Sequence, residues 1–111
     1  MKNLRFFRWV FLIPIFLFLQ VAASELTEMK FKVSGSCNMC KKTIEKAARQ
    51  AGAKEADWNK ETGLLTVKFD SNKSDSDKIQ KKIADAGYDT ENFKADDKVY
   101  AKLKKCCKYE R

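Results

Sequence analysis

The chain of 111 residues contains no histidine, a single proline and only four cysteines, and no acidic residue occurs before Glu25. Without histidine, the commonest nitrogen ligand for zinc or Cu(II) is missing. The acid-free start reads as a targeting segment. Lys2, Arg5 and Arg8 form a basic patch, Trp9 to Leu19 is apolar, and Gln20-Val21-Ala22-Ala23-Ser24 supplies small residues for signal-peptidase cleavage near Ala23-Ser24. The apolar run is short for a membrane span and Pro14 interrupts it, so an uncleaved anchor is the lesser alternative. No cysteine lies near the cleavage point, so a lipoprotein anchor is not supported. The expected location is periplasmic or secreted, with the membrane met only through the signal peptide.

Charge excludes another class. The net charge is +8, and Lys2, Arg5 and Arg8 carry three of those eight, leaving a moderate +5. The remaining lysines are dispersed among Asp and Glu without aromatic interleaving, so nucleic-acid binding is not expected. Internal repeats and low-complexity stretches are also absent. One CxxC and one adjacent pair do not make a dispersed disulfide framework, although an oxidising compartment would permit disulfides. The length fits one small domain with enough apolar periodicity to build a core without staples.

Glu28 to Ser34 alternates apolar and polar residues, predicting a strand with Met29, Phe31 and Val33 inward. Gly35-Ser36 turns the chain into a helix that buries Ile44, Ala47, Ala48 and Ala51 and stops at Gly52. Ala53 to Asn59 reads as a second strand with Ala56 and Trp58 on one face. Lys60-Glu61-Thr62-Gly63 is a hairpin signal, and Leu64 to Phe69 a third strand with Leu65, Val67 and Phe69 inward. Ser74 and Asp77 resemble a capping box for a second helix burying Ile79, Ile83 and Ala86. A last strand is expected over Tyr88 to Lys94. The order β-α-β-β-α-β is that of a ferredoxin-like α+β sandwich: four antiparallel strands with two helices on one face. Beyond Asp96, Val99, Tyr100 and Leu103 have helical spacing, followed by Cys106-Cys107.

Chemistry concentrates at Cys37-Asn38-Met39-Cys40, a CxxC at a strand-to-helix junction. Two sulfurs so spaced either hold a soft metal ion or exchange a disulfide; a plain stabilising disulfide is the blander alternative. The helix N-terminus, with Lys41 and Lys42 close by, favours the thiolates.

The flanks decide between these readings by resemblance. Phe31-Lys32-Val33, the CxxC, Ile44-Glu45-Lys46-Ala47, Thr62 to Asp70 and Ala86-Gly87-Tyr88-Asp89 occur in the order seen in heavy-metal-associated domains. These are the modules of copper chaperones and periplasmic mercury-binding proteins, and the resemblance covers about residues 28 to 95. It implies low-coordinate Cu(I) on Cys37 and Cys40, with Hg(II) or Zn(II) as alternative ions. It also places Tyr88 in the loop facing the metal; an ordinary core-edge tyrosine is an equal alternative. The chain departs from the family at Gly35-Ser36, one residue shorter than the usual Gly-Met-Thr entry and without its methionine. Met39 reads as an exposed docking contact in preference to a thioether ligand, and Trp58 as core.

Cys106-Cys107 cannot readily close a relaxed disulfide on itself. Lys104, Lys105 and Lys108 would make both thiols reactive. The ten residues from Asp96, if helical, span ~15 Å, enough for the tail to carry Cys106 or Cys107 toward Cys37 and Cys40 as added ligands or in a resting disulfide. A separate metal site or a free tail are the alternatives.

The reading is therefore a signal peptide (1–24), a heavy-metal-associated domain (25–95) and a cysteine-bearing extension (96–111). The expected protein is not an enzyme. It captures a thiophilic ion and passes it by ligand exchange to a membrane metal transporter or another carrier. It is expected to act as a monomer, with a metal-bridged dimer as the alternative. The competing function is a thiol-disulfide oxidoreductase, against which the CxxC lacks the aromatic and proline context of thioredoxin-like proteins. A structural zinc module using all four cysteines is weaker, because an adjacent pair closes a tetrahedron poorly.

Overall fold

The computed structural model describes residues 25–111; the segment read as a signal peptide lies outside the described residues. The elements are β1 (Thr27–Lys32), α1 (Asn38–Gln50), β2 (Ala53–Trp58), β3 (Leu64–Phe69), α2 (Ser76–Asp85) and α3 (Asp97–Ala101), ending in a 3₁₀ turn at Lys105–Cys107. The sheet order is β1-β3-β2, all antiparallel. Phe31 faces Leu65, and Trp58 faces Leu65 from the other side. This is the expected ferredoxin-like arrangement, with one reduction. The fourth strand predicted over Tyr88 to Lys94 shrinks to a single antiparallel bridge between Val33 and Thr90. Beyond it, Thr90 closes a turn: its N–H donates to the Phe93 carbonyl at 2.7 Å, and Phe93 N–H donates to Thr90 Oγ1 at 3.1 Å. The turn draws the chain off the sheet edge and toward the tail.

The core lies between the sheet and the two longer helices. Phe31, Val33, Ile44, Trp58, Leu65, Val67, Ile79 and Ile83 are each at most 1% exposed. Full burial of one such aliphatic side chain contributes roughly 1.5–3 kcal/mol, so this set outweighs any surface pair. Met29, predicted inward, is 38% exposed. It lies in the stretch Thr27 to Lys30, all of it exposed, where the period-2 pattern finds nothing to pack against. Ala86 is likewise only half-buried, while Gln80 and Ala84 are buried on α2.

The helix ends follow local chemistry with one change from expectation. Asp75, not Ser74, caps α2, its carboxylate accepting from Lys78 N–H at 2.7 Å. Ser74 is buried instead, and its hydroxyl donates to the Ala51 carbonyl at 2.6 Å, satisfying the end of α1. Glu45 joins α1 to β2: its Oε2 accepts from Trp58 N–H at 2.9 Å and from Lys41 Nζ at 2.6 Å. Gln80 is 1% exposed but satisfied, donating to Ser76 Oγ and accepting from Asn92 N–H. No helix among the described residues is long and apolar enough to cross a membrane.

Candidate metal centre

The loop after β1 delivers Cys37 to the start of α1. Cys37 is the N-cap residue in extended conformation (φ −151°, ψ 174°), and its carbonyl accepts from Lys41 N–H at 3.1 Å. Its side chain makes no cap hydrogen bond, so the sulfur is free to face Cys40 one turn along. The Sγ atoms lie 3.3 Å apart. Cys40 is fully buried and Cys37 half-buried. At the loop entry, which lacks a methionine, Trp58 lies close beneath Gly35. At Gly35 an added Cβ would lie 2.9 Å from the Trp58 ring and 3.2 Å from Ile44, so the indole packs directly under the loop. Its Nε1–H donates to the Val33 carbonyl at 3.0 Å, which fixes the ring against the loop.

The tail supplies the third sulfur. After α3 the chain turns through Leu103, and the 3₁₀ turn points Cys107 inward (4% exposed) and Cys106 outward. Cys107 Sγ lies 3.4 Å from Cys37 Sγ, and the sulfurs of Cys37, Cys40 and Cys107 all fall within 4.8 Å of one another. Cys106 stays outside this trio, 3.9 Å from Cys107 Sγ. Tyr88 is buried beside Cys40 and Cys107 and stacks on Tyr109 at 6.1 Å between centroids.

The tail is fastened by residues whose roles the sequence did not disclose. The Tyr109 hydroxyl donates to the Gly87 carbonyl and accepts from Asp89 N–H, both at 2.9 Å. The Tyr100 hydroxyl donates to the Tyr109 carbonyl, and the Tyr100 ring meets Tyr109 edge-on at 5.0 Å. Arg111 binds both oxygens of Asp89 and the Ala95 carbonyl, with its guanidinium 4.7 Å above the Tyr100 ring. Ser36 Oγ donates to the Cys106 carbonyl at 2.6 Å, tying the tail directly to the CxxC loop. An aromatic-and-arginine ending just past a cysteine pair was the available signal, but only the folded chain shows what it grips.

Electrostatics separate Cys37 from Cys107. Burial acts to raise the Cys37 thiol, but hydrogen bonds from the Cys40 backbone and from the Cys40 and Cys107 side chains prevail and hold it below the ordinary thiol range. Burial pushes Cys107 well above that range, and its hydrogen bonds with Cys40 and Cys37 push the same way. Cys37 thus ionises before Cys107, with Cys107 the donor toward it. Burial also raises the Tyr88 hydroxyl, and the neighbouring Cys40 and Cys107 add to this, so it stays neutral. Lys41, expected to lend charge to the thiolates, is turned away: Glu45, Asp57 (2.7 Å) and the Trp58 carbonyl hold its ammonium. The α1 N-terminus still lends the sulfurs a positive influence.

Comparison with known proteins agrees with this geometry. Residues 30–89 match the heavy-metal-associated domain family. A solved CopZ metallochaperone is 33% identical, covering 58% of this chain and 98% of that one, with a TM-score of 0.55. The oxidised MerP of Ralstonia metallidurans is also 33% identical, over 59% of this chain and 93% of its own, at a TM-score of 0.55. The water-soluble region of the P-type ATPase CopA from Bacillus subtilis is 33% identical over 61% of this chain and 46% of its own, at a TM-score of 0.56. No match is found among curated proteins. The family match ends before the tail, so Cys107 comes from outside the matched residues.

Proposed function

The chain belongs to the heavy-metal-associated domain family, and we propose that it carries Cu(I) on three thiolates, Cys37, Cys40 and Cys107, and hands the ion to a partner by ligand exchange. It is a metal-binding protein and not an enzyme, in keeping with its likeness to a metallochaperone. The observation that carries the reading is the approach of Cys107 to within 3.4 Å of Cys37. An ion bonded to three sulfurs at about 2.3 Å holds them ~4 Å apart, so the trio needs only a slight opening to receive one.

The donor set supports a soft ion of low coordination number. Three sulfurs with no histidine anywhere in the chain suit Cu(I), or Hg(II) as the second ion, better than tetrahedral zinc. Tyr88 closes the inner side of the site with a neutral group. Cys37 is the half-exposed sulfur, and through it a partner's thiolate can add to the ion as Cys107 leaves. Metal then passes through a shared intermediate without release to water. The likeness to a soluble domain of a P-type ATPase supports a membrane metal transporter as partner. The basic, acid-free N-terminal segment, ending in small residues suited to signal-peptidase cleavage, supports export to the periplasm or outside the cell.

Competition titration of the purified protein with Cu(I), Hg(II) and Zn(II), combined with sulfur-coordination analysis by X-ray absorption, tests the reading. One tightly held Cu(I) with three sulfur neighbours is expected. Micromolar or weaker binding of all three ions would overturn it.

A further inference from the structure

The functional reading leaves Cys106 unused, and the fold does not leave it alone. Its sulfur lies 3.9 Å from Cys107 Sγ and 3.9 Å from Met39 Sδ. Met39, at the centre of the CxxC loop, is 44% exposed, and Cys106 is exposed as well. Two soft donors from segments 67 residues apart therefore meet at the surface, beside the buried trio. An ordinary exposed methionine would lie against apolar neighbours; this one presents its thioether to a thiol. Both separations match the ~4 Å that a trigonal ion with metal–sulfur bonds of about 2.3 Å imposes on its ligands. In the 3₁₀ turn consecutive side chains diverge by about 120°, so Cys107 reaches the interior while Cys106 stays at the surface with its sulfur still beside that of Cys107. Ser36 holds the turn in register through the Cys106 backbone carbonyl, independently of the Cys106 thiol.

We propose that Met39, Cys106 and Cys107 form a second, outer Cu(I) site, with Cys107 bridging it to the inner site, and that ions enter through it. The proposal rests on the three-thiolate reading of the inner site. On binding, Cys106 and Cys107 each give their thiol proton to solvent and the Met39 thioether gives none. The ion moves inward by exchanging its bonds to Met39 and Cys106 for bonds to Cys37 and Cys40, which lose their protons to solvent as they bind. The bond to Cys107 persists throughout, Cys106 regains a proton from solvent, and the copper stays Cu(I). A mixed thioether–thiolate set at the surface is a weaker ligand than three thiolates, so the gradient runs inward.

Met39→Leu removes the sulfur at nearly constant shape, and Cys106→Ser removes the thiol while keeping the backbone contact to Ser36. Each is titrated beside the native protein with Cu(I) held by bicinchoninate, and uptake is followed by stopped-flow absorbance. The native protein is expected to take a tight first ion and a weaker second one. In both variants the first equivalent keeps its affinity and three-sulfur signature. The second equivalent weakens and the uptake rate falls, each by ~10-fold or more, within the range for groups that support a metal site. A second equivalent and an uptake rate unchanged in both variants, or a native protein that binds one ion only, would overturn the outer site while leaving the inner one standing. A native protein lacking even the tight first ion would overturn both.

Discussion

Arg111 holds Asp89 with two parallel hydrogen bonds, Nε to Oδ2 at 3.0 Å and Nη2 to Oδ1 at 2.9 Å. This fork is the last contact of the chain, and it fastens the end of the tail to the loop that follows α2. The Asp89 carbonyl in turn accepts from Ser34 N–H at 2.8 Å, so the clasp is continuous with the entry to the CxxC loop. The placement of Cys107 therefore depends on residues remote from the sulfurs.

The clasp sets a pH window for tail docking. Burial works to raise the Asp89 carboxyl, but the Arg111 guanidinium and the Ala95 N–H outweigh it and hold it below the usual range. A carboxyl depressed in the folded state stabilises above its unfolded value, near ~3.9, and that contribution fades as pH falls through the lower folded value. Tyr109 acts at the other limit. Burial pushes its hydroxyl up to about 12, so its contribution is intact below the unfolded value of about 10 and is lost as pH rises toward 12. Tyrosine near-ultraviolet circular dichroism should be flat between these limits and change outside them. Asp89→Asn should remove the acid transition; an acid limb identical to that of the native protein would contradict the assignment.

Cys107→Ser tests the third ligand. The fold should persist, since the substitution is nearly isosteric, while X-ray absorption counts two sulfurs on Cu(I) in place of three. Loss of a ligand should cost more than the ~10–100-fold typical of an outer supporting group, read as a competition affinity. Cys106→Ser should leave the first-ion value unchanged.

Gly87→Ala should loosen the tail without touching a sulfur. Gly87 has φ +109°, and a Cβ there would lie 2.9 Å from Leu103. Backbone strain and the clash together should destabilise the protein by about 1–3 kcal/mol, measured by urea unfolding. Hydrogen exchange at Cys107 and Tyr109 should accelerate more than exchange in β3.

Gly35→Ala addresses the support beneath the CxxC loop. The added methyl meets the Trp58 ring at 2.9 Å with no flexible side chain to yield. A cost of about 1–3 kcal/mol is expected, with Trp58 fluorescence shifted because the indole must move. An unshifted spectrum at native stability would show that the loop, not the ring, gives way.

Much of this was readable before folding. Leu65, Val67 and Phe69 alternate inward along β3 as their spacing predicts, and Ile44, Ala47 and Ala48 line α1 at helical intervals. Those patterns are local, set by side-chain period and by Gly52 and Gly87 at the helix ends. The misses share one cause, which is that a contact, or the lack of one, outside the local pattern decided each. Met29 has the right period but no helix above it. Ser74 has the right chemistry for a cap, but its hydroxyl is taken by the Ala51 carbonyl. Thr90 starts a strand and then closes on Phe93.

The sequence by itself determined the fold class, the CxxC at the strand-to-helix junction and the soft-ligand chemistry. Each follows from short-range spacing and from the absence of histidine. Tertiary structure alone decided that Cys107 faces inward and Cys106 outward, that Lys41 is spent on Glu45 and Asp57, and that Met39 meets a thiol from the tail. Those outcomes depend on where Tyr109 and Arg111 find partners on a loop some twenty residues earlier, a long-range closure that no local period encodes.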